Sequence, residues 1–289
     1  MDDPTPSSSS SAKLDPEIYS RLHPRAYLER FLASSYRPSG RTPAASRPAQ
    51  VHLGSISTAD GSALARLGET TVVCGVKAEL AEPDAGGERR GWVVPNLDLP
   101  AVCGARFRPG PPGEEAQVCS ERLFELLIEC KRNEVISLEE LCIEPARAAW
   151  VLYIDLVCIN YDGNAYDASV LAMLAALRNT RLPKARWDED KKRVVCSRKE
   201  RVPLRVQNLP IPSTFGIFDG QHLLADPNAF EEPLLDTLIT VTLDDRGKVG
   251  VQLAGPAGVS GIDGSKVVGQ CVQAARARRK ELLRALDGT

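Results

Sequence analysis

Histidine is scarce in this sequence, and its cysteines do not pair. Only His23, His52 and His222 occur in 289 residues, and no two stand at metal-ligand spacing. Eight cysteines are present (Cys74, Cys103, Cys119, Cys130, Cys142, Cys158, Cys196 and Cys271), yet none forms a Cys-x-x-Cys pair. That spacing speaks against a structural zinc site, and neither a metal nor a cofactor is expected. Several thiols lie in apolar segments, where they behave as small hydrophobes, and scattered free thiols fit a reducing compartment. Long apolar runs are also missing. The longest, Ala148–Ile159, is too short to span a bilayer and contains Asp155, so no membrane is expected as a partner. The Ser-rich start lacks the apolar centre of a signal peptide, and residues 1–14 are expected to be a disordered tail.

No charge of one sign predominates. Lys and Arg total 36 against 38 Asp and Glu, a formal charge of -2. That excludes a uniformly basic nucleic-acid glove and leaves room for a local basic channel, because binding follows the distribution of charge as well as its sum. A nucleoside-triphosphate loop is disfavoured too. Gly258, Gly261 and Gly264 precede Ser265-Lys266, which reverses the Gly-Lys-Ser/Thr order of a Walker site. There is no short-period repeat and no Ser-His-Asp or Cys-His arrangement legible from order alone.

What is present reads as a chain of alternating sheets and helices, long enough for one domain or two closely joined halves. Asp15–Ala33 is predicted as one helix with Pro16 near its start. A Pro- and Arg-rich connector, Ser34–Pro48, leads to strands over Val51–Thr58, Gly61–Leu67 and Thr70–Leu80, and then Gly91–Leu99. Glu114–Arg132 has helical apolar spacing with two acids in its first turn, which suits the positive helix start. Trp150–Ile159 is a central strand, Asn164–Asn179 a second long helix, and Leu182–Arg201 a mixed-charge solvated loop. Short strands follow at Val202–Leu209, Ser213–Phe218 and His222–Ala225. A hairpin then pairs Leu235–Leu243 with Lys248–Leu253 around Asp244–Gly247, and a helix over Ser265–Leu286 closes the chain. Each half is a sheet covered by a helix, an α+β or α/β layered arrangement.

Four features could carry function. Arg37 and Arg41 flank a Pro-Ser-Gly turn, either as a guanidinium fork for phosphate or RNA backbone or as solvated or subunit-paired arginines. Arg106 and Arg108 flank Phe107, a cation–aromatic–cation pattern that suits single-stranded RNA. The closing helix carries Arg276, Arg278, Arg279, Lys280 and Arg284, a basic face open to solvent, RNA or a partner. Between the central strand and the second long helix, Asp162-Gly163-Asn164 forms a turn whose helix-start amides could hold phosphate or merely begin the helix. The acids Asp219, Asp226, Glu231 and Glu232 follow, but Asp219-Gly220 and Asp226-Pro227 read as turns rather than as a strand end built for a divalent ion.

In combination, Arg37–Arg41, Gly61–Lys77, Arg106–Gln117, Asp162–Ala168, Pro203–Val206 and Leu223–Pro227 resemble the ribonuclease PH family, and in particular the ribonuclease PH-like subunits of the eukaryotic RNA exosome ring. The resemblance spans about residues 15–286. It implies an α+β ribonuclease PH fold: two βαβ-type halves, similar to ribosomal protein S5 domain 2, with helices on mixed sheets. The halves would be an N-terminal domain over 15–200 and a C-terminal domain over 201–289. Active members hold phosphate with a Gly-Thr-Arg-type turn and carry an Asp-x-Asp-like pair. Here the turn has no arginine, Asp167 stands where phosphate would be repelled, and Leu223–Asp226 keeps a single Asp. The loss of transition-state charge stabilisation makes a non-catalytic ring subunit the expectation. Its partners would be other ribonuclease PH-like subunits in a six-membered ring, S1/KH cap proteins, an associated catalytic nuclease, and single-stranded RNA contacted by Arg106, Arg108, Arg37 and Arg41. Its location would be the nucleus, nucleolus and cytoplasm. The alternatives are an active phosphate-dependent exoribonuclease, alone or through a site shared with a paralogous partner, and an unrelated enzyme with an α/β core.

Overall fold

The computed structural model describes residues 15–83, 86–128, 135–247, 249–255 and 264–288. The expected tail over 1–14, Cys130, Gly258 and Gly261 lie outside the described residues. The chain divides into two compact units, residues 1–43 and 44–289.

In the first unit the single predicted helix is two, α1 (Pro16–Leu22) and α2 (Pro24–Ala33). Pro24 is the cause. It lacks an N–H and disfavours helical geometry in the residue before it, and His23 sits at φ -132° and ψ 62°. Asp15 caps α1 by accepting the Glu17 N–H at 3.1 Å. Beyond α2 the chain turns tightly. Arg37 donates its backbone N–H to the Arg41 carbonyl at 2.9 Å, and Gly40 donates to the Arg37 carbonyl at 2.8 Å.

The second unit holds β1 (Ala49–Leu53), β2 (Gly61–Leu67), β3 (Thr70–Ala81), β4 (Trp92–Asp98), α3 (Glu114–Ile128), β5 (Cys142–Glu144), β6 (Ala148–Asn160), α4 (Ala165–Asn179), β7 (Arg181–Asp188), β8 (Arg193–Pro203), β9 (Ile211–Phe218), β10 (His222–Ala225), β11 (Thr237–Leu243), β12 (Val249–Ala254) and α5 (Gly264–Asp287). The first sheet runs β1-β2-β3-β6-β4, with β5 also on β6. It is mixed, because β4 is parallel to β6 while the other pairs are antiparallel. Register sets the core. Val72, Cys74 and Val76 of β3 face Cys158, Leu156 and Ile154 of β6, and all six are buried. Each buried Leu or Ile contributes on the order of 1.5–3 kcal/mol of hydrophobic stabilisation, an upper bound set by the unfolded reference. Against this face packs α4, buried continuously from Ala165 to Leu177. Its lack of a polar stripe is what an interior helix requires.

The second sheet, β10-β9-β11-β12, is antiparallel throughout. Both α4 and α5 touch β9, which is buried along its whole length. The segment Leu182–Arg201, expected to be a loop, is instead the β7–β8 hairpin. Its charges alternate with Leu182, Ala185, Trp187 and Val195, so a two-stranded ribbon keeps them solvated without surrendering its ladder. Val202–Leu209 is not a strand of its own: β8 ends at Pro203, and Val206 makes an isolated bridge to Ile136. Among the described residues no helix is long and apolar enough to cross a membrane.

Candidate functional site

Five polar residues, Asn164, Asp167, Thr214, Asp226 and Glu232, converge where β6 passes into α4. Gly163 and Asn164 both take left-handed backbone, at φ 77° and 53°. Glycine is required at the first, because a Cβ there would come within 2.5 Å of the Asn228 carbonyl carbon. The Asn164 side chain does not cap its own helix. It donates to Asp167 Oδ2 at 2.9 Å and to Asp226 Oδ1 at 2.8 Å. The helix-start amide of Asn164 is taken by Glu232 Oε1 at 2.6 Å. Asp167, in the first turn of α4, accepts the Thr214 N–H at 2.8 Å and the Thr214 hydroxyl at 2.9 Å.

The sequence reading put no guanidinium at this turn, and the structure corrects it. Arg47 arrives from the connector before β1 and is 5% exposed. It grips Asp226 through Nε at 2.9 Å, Nη2 at 2.8 Å and its backbone N–H at 2.8 Å. Its Nη1 donates to the Asp162 carbonyl at 2.5 Å and to Thr70 Oγ1 at 3.2 Å, and its Nη2 to the Gly163 carbonyl at 3.2 Å. Thr70 in turn donates to the Gly163 carbonyl at 2.7 Å. The cation expected to be missing is therefore present, but it is spent on the protein's own acceptors.

Electrostatics follow from burial and this pairing. Burial by itself would raise the Asp226 carboxyl, but hydrogen bonds and charge from Arg47 outweigh it and hold Asp226 below its ordinary range. Asp167 is pushed up by burial, with the charge of Asp226 adding and the bonds from Asn164 and Thr214 opposing. Glu232 is pushed up by burial, with Glu115 adding. Glu232 Oε2 also accepts the Tyr161 hydroxyl at 2.6 Å. A helix N-terminus favours an anion by about 0.3–1 kcal/mol. A phosphate charge about 4 Å from an ionised carboxylate is repelled by about 4 kcal/mol at an effective dielectric of about 20. Asp167 and Glu232, where ionised, therefore oppose an anion at this helix start. Among the described residues no group of three or more His, Cys, Asp or Glu could hold a metal ion.

The predicted residues fall in different places. Arg106 lies in the loop before α3, its guanidinium paired with Glu115 and placed over the rings of Phe107 at 4.8 Å and Tyr161 at 4.4 Å. Arg108 is exposed. Both border a pocket of about 650 Å³ that Asp98, Val102, Phe107 and Glu114 also line. Arg37 is buried and Arg41 half-buried, with Arg41 Nε donating to Ser39 Oγ at 3.2 Å. Of the acids, Asp226 and Glu232 reach the α4 start. Glu231 is buried and braces its own turn, accepting the Asn228 N–H at 3.0 Å. Asp219 occupies the exposed β9–β10 turn at φ 51°.

Sequence reasoning missed Arg47, Thr70, Thr214 and Arg122. Arg122 lies 3.8 Å over the Tyr166 ring and donates to Gln252 at 3.0 Å. It borders a second pocket, of about 690 Å³, beside Tyr161 and Glu232. Arg47 carried no local signal, since it sits between Ser46 and Pro48 in a stretch that reads as connector.

Comparison with known proteins agrees with this architecture. Residues 45–183 match the family described as 3' exoribonuclease family, domain 1, and residues 208–275 match its domain 2. The exosome complex component rrp43 of Schizosaccharomyces pombe is 41% identical over 229 residues, covering 79% of this chain and 83% of that protein. The exosome complex component Rrp42 of Methanopyrus kandleri is 36% identical over 236 residues, 82% of this chain and 86% of its own length. Among solved structures, a chain of the Archaeoglobus fulgidus exosome with RNA bound to the active site superposes with a TM-score of 0.76 at 30% identity, over 91% of this chain and 99% of that one. An archaeal exosome core chain gives 0.72 at 28% identity, over 93% and 99%. The chain belongs to the 3' exoribonuclease family and has the α+β ribonuclease PH fold.

Proposed function

We propose that this chain is a non-catalytic subunit of an RNA exosome ring. The observation that carries this reading is the occupied start of α4. The Asn164 amide is bonded to Glu232, Asp167 stands in the first turn, and the Arg47 guanidinium is bound by Asp226. Phosphorolysis needs an inorganic phosphate beside a reacting phosphodiester, with preorganised positive groups free to meet the developing charge. Here the Asn164 amide and the Arg47 guanidinium are already bonded to carboxylates. Relatives that are exosome components support the ring context.

In this reading the chain pairs with other ribonuclease PH-like subunits in a six-membered ring. Cap proteins with S1 and KH domains bind the ring, and a separate nuclease supplies the chemistry. The chain's halves, 15–200 and 201–289, are its two family domains. Arg106 and Arg108, with Arg37 and Arg41, contact single-stranded RNA through phosphates and without sequence preference. The complex works in the nucleus, the nucleolus and the cytoplasm. The test is co-purification followed by an activity assay. Stoichiometric recovery of ribonuclease PH-like neighbours, with no phosphate-dependent release of nucleoside diphosphates by the chain or its heterodimer, is the expected result. A monomer without neighbours, or diphosphate release abolished by Asp226→Ala, overturns it.

A further inference from the structure

The helix α5 concentrates positive charge in a chain that is slightly acidic as a whole. It carries six basic and two acidic residues, and the formal charge of the chain is -2. Both acids are already engaged, Glu281 with Arg278 and Asp287 with Arg178 of α4. Arg279 reaches Asp245 at 2.5 Å and the Leu243 carbonyl at 3.2 Å. The buried side of the helix is Val267, Cys271, Ala275, Leu282 and Leu286. On the opposite side Arg276, Lys280 and Arg284 are exposed. They recur every fourth residue and so form a single ridge, about 6 Å from one to the next at a rise of about 1.5 Å per residue. Helix polarity accounts for a cation in the last turn, where Arg284 lies, but not for Arg276 or Lys280 in the body of the helix.

From this placement we infer that the Arg276–Lys280–Arg284 ridge of α5 is a phosphate-contacting surface for single-stranded RNA, separate from Arg106 and Arg108. Charge complementarity identifies an anionic occupant. What lies between the cations distinguishes RNA from an acidic protein. The exposed residues beside the ridge are Gln273 and Ala277, small or polar, and Glu281, which Arg278 already engages at 2.8 Å. Protein partners are anchored by buried aromatic or large apolar groups in pockets, and this ridge has none to offer. Base stacking needs an aromatic platform, which is also missing from it. A row of cations without anchors or rings grips phosphates alone, so the contact is independent of sequence and sensitive to salt. The inference does not rest on the ring assignment, since it concerns the surface of this chain.

The test uses the full chain and a labelled uridine homopolymer, with binding followed across a salt series. Each phosphate contact on a single strand contributes about 0.7 to the slope of log affinity against log salt. The triple variant Arg276→Gln, Lys280→Gln, Arg284→Gln should therefore lower the slope by about 2 and weaken adenosine and uridine homopolymers alike. Arg106→Ala with Arg108→Ala should weaken RNA further when added to it. An unchanged slope in the triple variant overturns the inference. So does tighter capture of a glutamate homopolymer than of RNA by the wild-type ridge, which would make it a protein-docking surface. Oligomeric mass in the presence of neighbouring subunits is a separate readout. Its loss in the triple variant, with RNA binding retained, would identify a subunit interface and contradict the RNA assignment while leaving the ring reading in place.

Discussion

Asp226 receives Arg47 at three nitrogens: Nε at 2.9 Å, Nη2 at 2.8 Å and the backbone N–H at 2.8 Å. The two residues are 179 positions apart in sequence, so this fork fastens the connector before β1 to the end of β10. A buried ion pair is not intrinsically stabilising, because desolvation offsets much of the attraction, but removing one partner strands the other. Asp226→Asn and Arg47→Met should each cost about 3–5 kcal/mol. The double variant Arg47→Met, Asp226→Asn should lose less than the sum of the two. Chemical denaturation of the four proteins gives the coupling, and strict additivity would mean the contact is energetically idle.

Acid sensitivity should divide between two carboxyls of opposite behaviour. Asp226 is held below its ordinary value of 3.8, since Arg47 outweighs the opposing effect of burial. Its contribution to stability is thus present above 3.8 and lost as pH falls through the folded value. Glu232 is raised above 4.5 by burial, with Glu115 adding. For it the folded chain binds the proton more readily, so stability declines as pH rises from 4.5 through the folded value. Asp226→Asn should flatten the acid limb below 3.8. Glu232→Gln should gain on the wild type as pH rises above 4.5. Unfolding free energies measured against pH check both signs, and parallel curves for all three proteins would refute the assignment.

Gly163 is the tightest point of the β6–α4 turn. Alanine there would have to hold φ at 77° with a Cβ 2.5 Å from Asn228 and 2.6 Å from the Ala229 nitrogen. Left-handed strain alone costs about 1–3 kcal/mol, and the clash with backbone adds to it. Gly163→Ala should lower the melting temperature more than Gly40→Ala, where φ is 79° but nothing lies within 4 Å. Equal shifts would show that conformation, and not the close approach, fixes glycine at 163.

For the loop before α3, Arg106→Ala with Arg108→Ala should reduce RNA crosslinking and its salt dependence while sparing ring assembly. Arg108 should account for the greater part, because Arg106 is already paired with Glu115 and held over Phe107 and Tyr161. Crosslinking yields for the two single variants separate them. A yield unaffected by the double change removes this loop from the RNA path.

How much of this was visible beforehand depended on the range of the interaction. The β6–turn–α4 passage was legible because an apolar run, an Asp-Gly turn and an apolar helix stand next to one another in sequence. So was the Asp167 carboxylate at the helix start. The break at His23 was legible in principle from Pro24 but was overridden by the apolar spacing on either side. The β7–β8 hairpin was hidden because most of its side chains beyond Leu182 are exposed or partly so, and charge there mimics a loop. Arg47 was hidden because its partners, Thr70, Asp162, Gly163 and Asp226, are brought to it only by tertiary folding.

The central claim is that the start of α4 does not accept inorganic phosphate. Titration of the purified chain with phosphate, followed through the backbone amides of Gly163 and Asn164 by nuclear magnetic resonance, tests it most directly. The account predicts no saturable shift at these amides in the wild type, and the appearance of one when Glu232 and Asp167 are replaced by Gln and Asn. A saturable shift in the wild type at millimolar phosphate would contradict it.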